Sequence, residues 1–162
     1  MKANKEYIVA LTAYDYQTAI IIDNYCDFVL VGDSLGNVFQ GEETTLGVTV
    51  DQMKYHGSIV SKAIKNAHLC IDMPFMSYQS SIEKALDNAG TLIKSGGAGA
   101  VKLEGGSEIV DTIAAIVNIG IPVVGHIGLT PQSFHQMSGY SIQGKTKETA
   151  QHIVSDAIAV EK

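Results

Sequence analysis

The sequence predicts an α/β fold built on a parallel sheet. Strand-like and helix-like segments alternate five times along the chain, which is the pattern of repeated βα units. The strand segments are apolar on both faces, as in Phe28–Val31, and parallel sheets are covered on both sides. The chain has 162 residues, 46% hydrophobic and 17% charged, enough for one domain with a sizeable core.

Each element has a local reason. Tyr7–Ala13 reads as the first strand, and Asp15 is a natural N-cap for a helix over Gln17–Asn24. Phe28–Val31 is the second strand, followed by a glycine-containing stretch to Leu46. A helix over Val50–Lys65 starts at Thr49, with Gln52 three residues on as a capping box. Leu69–Ile71 is the third strand. Its helix begins near Ser81, where Ser80 and Glu83 have capping-box spacing, and Ile82, Ala85, Leu86, Ala89 and Ile93 form its apolar stripe. Gly96 and Gly97 end that helix where left-handed backbone is wanted. Val101–Leu103 is the fourth strand. A helix from Ser107 carries Val110, Ile113, Ala114 and Val117 on one face and stops at Gly120. Pro122–Gly125 is the fifth strand. A longer loop runs to Lys145, and the last helix places Ala150, Ile153, Val154, Ala157 and Ile158 on one face.

Two arrangements accommodate five such units: a doubly wound open sheet and a (βα)8 barrel. Length favours the open sheet, because a complete barrel takes about 250 residues. The residues at the strand ends favour the barrel.

Composition excludes several classes. Net charge is −6 with only 11 Lys and Arg, and no basic run is present, which argues against nucleic-acid binding. The longest apolar runs fall far short of the ~20 residues of a membrane span, and no export signal opens the chain, so a cytoplasmic protein is expected. Cys26 and Cys70 lack the spacing of a disulfide framework or a metal site and read as small buried hydrophobes.

The strand ends carry the chemistry. The second strand runs into Asp33, the third into Asp72, the fourth into Glu104 and the fifth into His126. In α/β proteins this rim is where ligands bind. Three carboxylates brought together repel one another unless a cation neutralises them. Oxygen-only donors with few protein ligands suit Mg²⁺ rather than zinc. Lys102, two residues before Glu104 and on the same face of the strand, faces the anionic end of a ligand. His126 reads as a hydrogen-bonding group near the substrate, and Ser34 as a donor to a carboxylate. The Ser95–Ala100 run is glycine-rich, but it joins helix to strand rather than strand to helix, so it is a connection and not a phosphate cradle. His56, His68, His135 and His152 read as surface or helix-packing residues. Tyr14, Tyr78 and Tyr140 follow strands and can line a pocket.

"TAYDY" (Thr12–Tyr16), "VLVGDSLG" (Val29–Gly36), "DMPFMSY" (Asp72–Tyr78), "VKLEGG" (Val101–Gly106) and "GHIGLTPQS" (Gly125–Ser133) together resemble the ketopantoate hydroxymethyltransferase family, in order and with few spacing changes. The resemblance implies a (βα)8 TIM barrel of the phosphoenolpyruvate/pyruvate type, of which the chain contains about the first five units as one domain. It implies Mg²⁺, homo-oligomers (decamers in that family) and no membrane or nucleic-acid partner. The implied reaction moves a hydroxymethyl group from 5,10-methylenetetrahydrofolate to 2-oxoisovalerate by way of a Mg-stabilised enolate, giving ketopantoate in pantothenate and coenzyme A biosynthesis. Carried over by position, Asp33, Asp72 and Glu104 are the metal carboxylates, and Asp33, Ser34, Asp72, Lys102 and His126 contact the keto acid. The family's general base, a glutamate at the end of the sixth strand, falls beyond Lys162; Glu161 lies on the preceding helix and is not that residue. The chain is therefore expected to be the N-terminal part of a longer enzyme, inactive and poorly soluble alone. Two other readings stand beside this one: another Mg²⁺-dependent keto-acid C–C lyase of the same barrel group, and a non-catalytic fragment or inert subunit that binds small anions.

Overall fold

Asp15 opens the first helix as its composition suggests, its carboxylate accepting from Thr18 N at 2.8 Å. The structure, a computed structural model, describes residues 4–137 and 139–162. Five strands, β1 (Ala10–Thr12), β2 (Phe28–Val31), β3 (His68–Asp72), β4 (Ala100–Glu104) and β5 (Val123–His126), form one parallel sheet in the order β1-β2-β3-β4-β5. The helices are α1 (Tyr16–Ile22), α2 (Leu35–Val38), α3 (Val50–Ala63), α4 (Ile82–Lys94), α5 (Val110–Asn118) and α6 (Lys147–Glu161). The strand order runs one way without reversing. A doubly wound sheet reverses at its switch point, so the consecutive order is that of barrel units.

The core forms where the helices cover the sheet. Val29, Val31, Ile71, Val101 and Leu103 are fully buried in one cluster with Val60 of α3, Ala89 and Leu92 of α4 and Ile116 of α5. Burial of such side chains contributes about 1.5–3 kcal/mol each. Among the described residues no helix is long and apolar enough to cross a membrane.

Several local expectations are revised. β1 is only Ala10–Thr12 rather than Tyr7–Ala13, because this edge strand pairs with β2 alone and Tyr7 is 95% exposed. The glycine-containing stretch holds the one-turn helix α2. Helix α4 is capped by Ser81, whose Oγ accepts from Lys84 N at 3.2 Å, not by a Ser80–Glu83 box. Only Gly97 of the Gly96–Gly97 pair adopts left-handed backbone, φ +79°. Helix α6 starts at Thr146 with a Thr146–Thr149 capping box. Its inward face carries Ile153, Asp156 and Val160, while Val154 and Ile158 of the anticipated stripe are more than half exposed. Asp156 sets that rotation. Its Oδ1 accepts from Ser107 N at 3.1 Å, and Gly106 has no side chain to hold it off.

A buried acid and lysine cluster at the strand ends

The sheet register brings the chemistry to one rim. Asp72 is paired with Lys102 across β3 and β4, and Glu104 with His126 across β4 and β5. Asp33 follows β2 after Gly32, and its N–H donates to Asp72 Oδ2 at 3.0 Å. Lys102 Nζ lies 3.0 Å from Asp72 Oδ1, 3.6 Å from Glu104 Oε1 and 3.3 Å from His126 Nδ1. His126 Nδ1 is 3.0 Å from the same Glu104 oxygen. All three carboxylates are buried. The sequence-selected strand-end residues thus meet in one cluster.

Two further groups belong to it. Gln132, in the turn Pro131–Ser133, donates through Nε2 to Asp33 Oδ2 at 2.8 Å, and its backbone N–H donates to Glu104 Oε2 at 2.9 Å. Tyr78 is a buried anchor rather than a pocket wall. Its hydroxyl accepts from Glu104 N at 3.0 Å and lies 2.7 Å from Gln132 Oε1. Ser34 Oγ is 2.8 Å from Tyr14 OH, and the Tyr14 carbonyl meets His56 Nδ1 at 2.7 Å. The buried His56 therefore packs, as expected. Tyr140 is half exposed, its ring against Phe134, and joins none of this. Sequence reasoning missed Gln132 because it lies in a loop with no periodicity, although the "GLTPQS" stretch containing it was conspicuous.

The electrostatics follow from three acids around one ammonium. Burial and the neighbouring Asp72 charge push Asp33 up to about 7, although Gln132 pulls the other way. Burial also raises Asp72 against the pull of Lys102. Glu104 is lowered: burial is outweighed by the hydrogen bonds from His126 and Gln132 and by the Lys102 charge. Burial works against the Lys102 ammonium, but Asp72 and Glu104 more than offset it and hold it charged. Burial pushes the Tyr78 phenol upward, so it stays neutral.

Among the described residues no group of three or more His, Cys, Asp or Glu is arranged as a ready metal cage. Glu104 has both oxygens engaged within the protein. The Asp33–Asp72 pair differs. Asp72 Oδ1 is buried with the Lys102 ammonium as ionic partner but no hydrogen-bond donor aligned on it, and at Asp33 the side-chain hydrogen bond falls on Oδ2. Two carboxylates with spare oxygen capacity fit a hard cation that keeps most of its water. A cavity of about 650 Å³ lies between the segments after β4 and β5 and helix α6, lined in part by Gly106, Ile127, Thr130, His152 and Asp156, and no side chain of the acid cluster lines it.

A family model described as ketopantoate hydroxymethyltransferase matches residues 1–162. The chain is 54% identical over 163 residues to the 3-methyl-2-oxobutanoate hydroxymethyltransferase of Geobacter sulfurreducens, covering 100% of this chain and 61% of that protein. It is 56% identical over 156 residues to the enzyme of that name from a Thermoanaerobacter species (strain X514), covering 96% and 57%. The chain thus spans about three-fifths of the length of these relatives. Among solved structures it is similar to phosphonopyruvate hydrolase in complex with oxalate and Mg²⁺, with TM-score 0.72, 11% identity, and 98% and 56% of the two chains covered. It is also similar to 2,3-dimethylmalate lyase, a member of the PEP mutase/isocitrate lyase superfamily, with TM-score 0.64, 15% identity, and 97% and 57% covered. The likeness shows the fold, about five consecutive βα units of a TIM barrel.

Proposed function

Because this chain belongs to the ketopantoate hydroxymethyltransferase family, we propose that it carries the metal and keto-acid half of a hydroxymethyltransferase site. The reaction transfers a hydroxymethyl group from 5,10-methylenetetrahydrofolate to 2-oxoisovalerate, giving ketopantoate in the pantothenate and coenzyme A route. The observation that carries the reading is the buried pairing of Asp33 and Asp72 beside the Lys102 ammonium.

Asp33 and Asp72 would hold Mg²⁺, and Glu104, the third carboxylate of the expected set, would support the site through His126 and Lys102 because both its oxygens are already engaged. When bound, the cation polarises the keto group and so makes the adjacent C3–H more acidic, worth several kcal/mol. Lys102 and Ser34 receive the substrate carboxylate. Lys102 is well suited because its ammonium is held charged inside the rim, so binding needs little reorganisation. Tyr14 fixes the Ser34 hydroxyl from the other side. His126, with Nδ1 engaged by Glu104, lies beside the oxo acid. None of these residues is assigned the removal of the C3 proton. The same reading makes the protein cytoplasmic and homo-oligomeric.

The test is a hybrid in which residues 1–162 replace the matching part of the Geobacter sulfurreducens relative. It should form ketopantoate from 2-oxoisovalerate and methylenetetrahydrofolate in a Mg²⁺-dependent manner, and Asp72→Asn should abolish this. A folded hybrid that is active without divalent metal, or with Asp72→Asn, contradicts the assignment.

A further inference from the structure

We propose that Gln132 is a positioning residue that sets the orientation of Asp33 and Glu104 for a bound divalent cation. The inference rests on the reading that Asp33 and Asp72 hold that cation. Gln132 is buried and its amide is fully used. Nε2 donates to Asp33 Oδ2 at 2.8 Å and to the Met73 carbonyl at 2.9 Å. Oε1 lies 2.7 Å from Tyr78 OH and accepts from Gln79 Nε2 at 3.1 Å. A primary amide has two hydrogens and two lone pairs, so these four partners fix which end is nitrogen. Asp33 is thus given a donor at one oxygen, and its other oxygen is left for a different partner.

The backbone extends the same control. Gln132 N donates to Glu104 Oε2 at 2.9 Å. One residue therefore joins the end of β2, the segment after β3 and the end of β4. Its own turn is closed by backbone hydrogen bonds. Pro131 opens the turn, and Ser133 N and Phe134 N bond back to Thr130 O at 2.9 Å and Pro131 O at 3.2 Å. Among the described residues, Gln132 Nε2 makes the side-chain hydrogen bond seen at the Asp33 carboxylate. Losing it frees that carboxylate to rotate, and a rotating ligand binds metal less tightly. Outer partners of this kind carry about 10–100-fold in metal affinity.

The experiment measures Mn²⁺ binding to the hybrid protein by the electron paramagnetic resonance of free and bound Mn²⁺, with no turnover involved. Gln132→Met keeps the side-chain length and removes the amide. It should weaken Mn²⁺ binding about 10–100-fold and broaden the bound signal. Gln132→Asn, whose amide is too short to reach Asp33, should do the same and serves if the Met variant does not fold. Asn88→Ala is the control. Asn88 bonds the Ser77 carbonyl at 2.6 Å and touches no carboxylate of the cluster, so its loss should lower thermal stability and leave Mn²⁺ affinity unchanged. Unchanged affinity in a folded Gln132 variant overturns the inference and leaves the metal reading intact. Equal weakening in the Gln132 and Asn88 variants also overturns it, by making the effect a matter of stability. Absence of Mn²⁺ binding in the folded, unmodified hybrid overturns the metal reading and the inference with it.

Discussion

Lys102 and Asp72 occupy paired positions on neighbouring strands and form an ion pair of 3.0 Å, Asp72 buried and Lys102 partly so, with Glu104 at 3.6 Å from the same ammonium. The lysine is therefore the internal counter-ion of a rim too rich in carboxylates. Removing it by Lys102→Met leaves buried negative charge uncompensated, which typically costs about 3–5 kcal/mol. Thermal unfolding should show that loss, and the double variant Lys102→Met/Asp72→Asn should recover part of it. Equal stability of Lys102→Met and the unmodified chain would show that the pair is idle.

Asp23 predicts a pH dependence away from the site. It caps the segment between α3 and β3, accepting from Lys65 N, Asn66 N and Ala67 N at 3.0–3.1 Å. Burial opposes its ionisation, but the donors at Ala67, Asn66 and Lys65 outweigh burial and hold the carboxyl below its ordinary range. The folded state then binds fewer protons than the unfolded chain in that range. Its contribution is complete above the ordinary carboxylate pKa and is lost as pH falls through the lower folded value. Asp23→Ala should cost about 2 kcal/mol at pH 7, and the difference from the unmodified chain should shrink towards pH 3. Denaturant titrations at the two pH values measure it.

Gly106 is a close-approach position. A methyl group there would overlap the Asp156 carboxylate that accepts from Ser107 N. Gly106→Ala should destabilise by about 1–3 kcal/mol through overpacking, and Asp156→Ala in the same chain should relieve part of the loss. Urea midpoints of the single and double variants decide this.

Among the described residues, Tyr14 meets the site through its hydroxyl, 2.8 Å from Ser34 Oγ. In the hybrid enzyme, Tyr14→Phe should raise KM for 2-oxoisovalerate several-fold with a smaller change in kcat, at a stability cost of about 1 kcal/mol. An unchanged KM would remove Ser34 positioning from the account.

The fold and the rim were legible for physical reasons. Period-two alternation puts Lys102 and Glu104 on one face, and repeated βα units bring Asp33, Asp72, Glu104 and His126 to the same end. The strand order, which separates a barrel from a doubly wound sheet, is a long-range property that local pattern does not encode. Gln132 stayed hidden because a loop residue has no periodic signature; only the folded chain brings it against Asp33, 99 residues away in sequence. The face of α6 was misjudged because its apolar stripe competes with one buried polar contact. Asp156 bonds the Ser107 backbone, and that leaves Val154 and Ile158 outward. The Ser80 cap was misplaced by one residue because two adjacent serines satisfy the same composition rule.

Titration calorimetry of 2-oxoisovalerate into the hybrid protein, with Mg²⁺ present and after chelation, tests the central claim most directly. The account predicts one-to-one binding with Mg²⁺ that disappears on chelation and in Asp72→Asn. Binding that is indifferent to Mg²⁺, or none in either condition from a folded hybrid, would contradict a shared metal and oxo-acid site at Asp33 and Asp72.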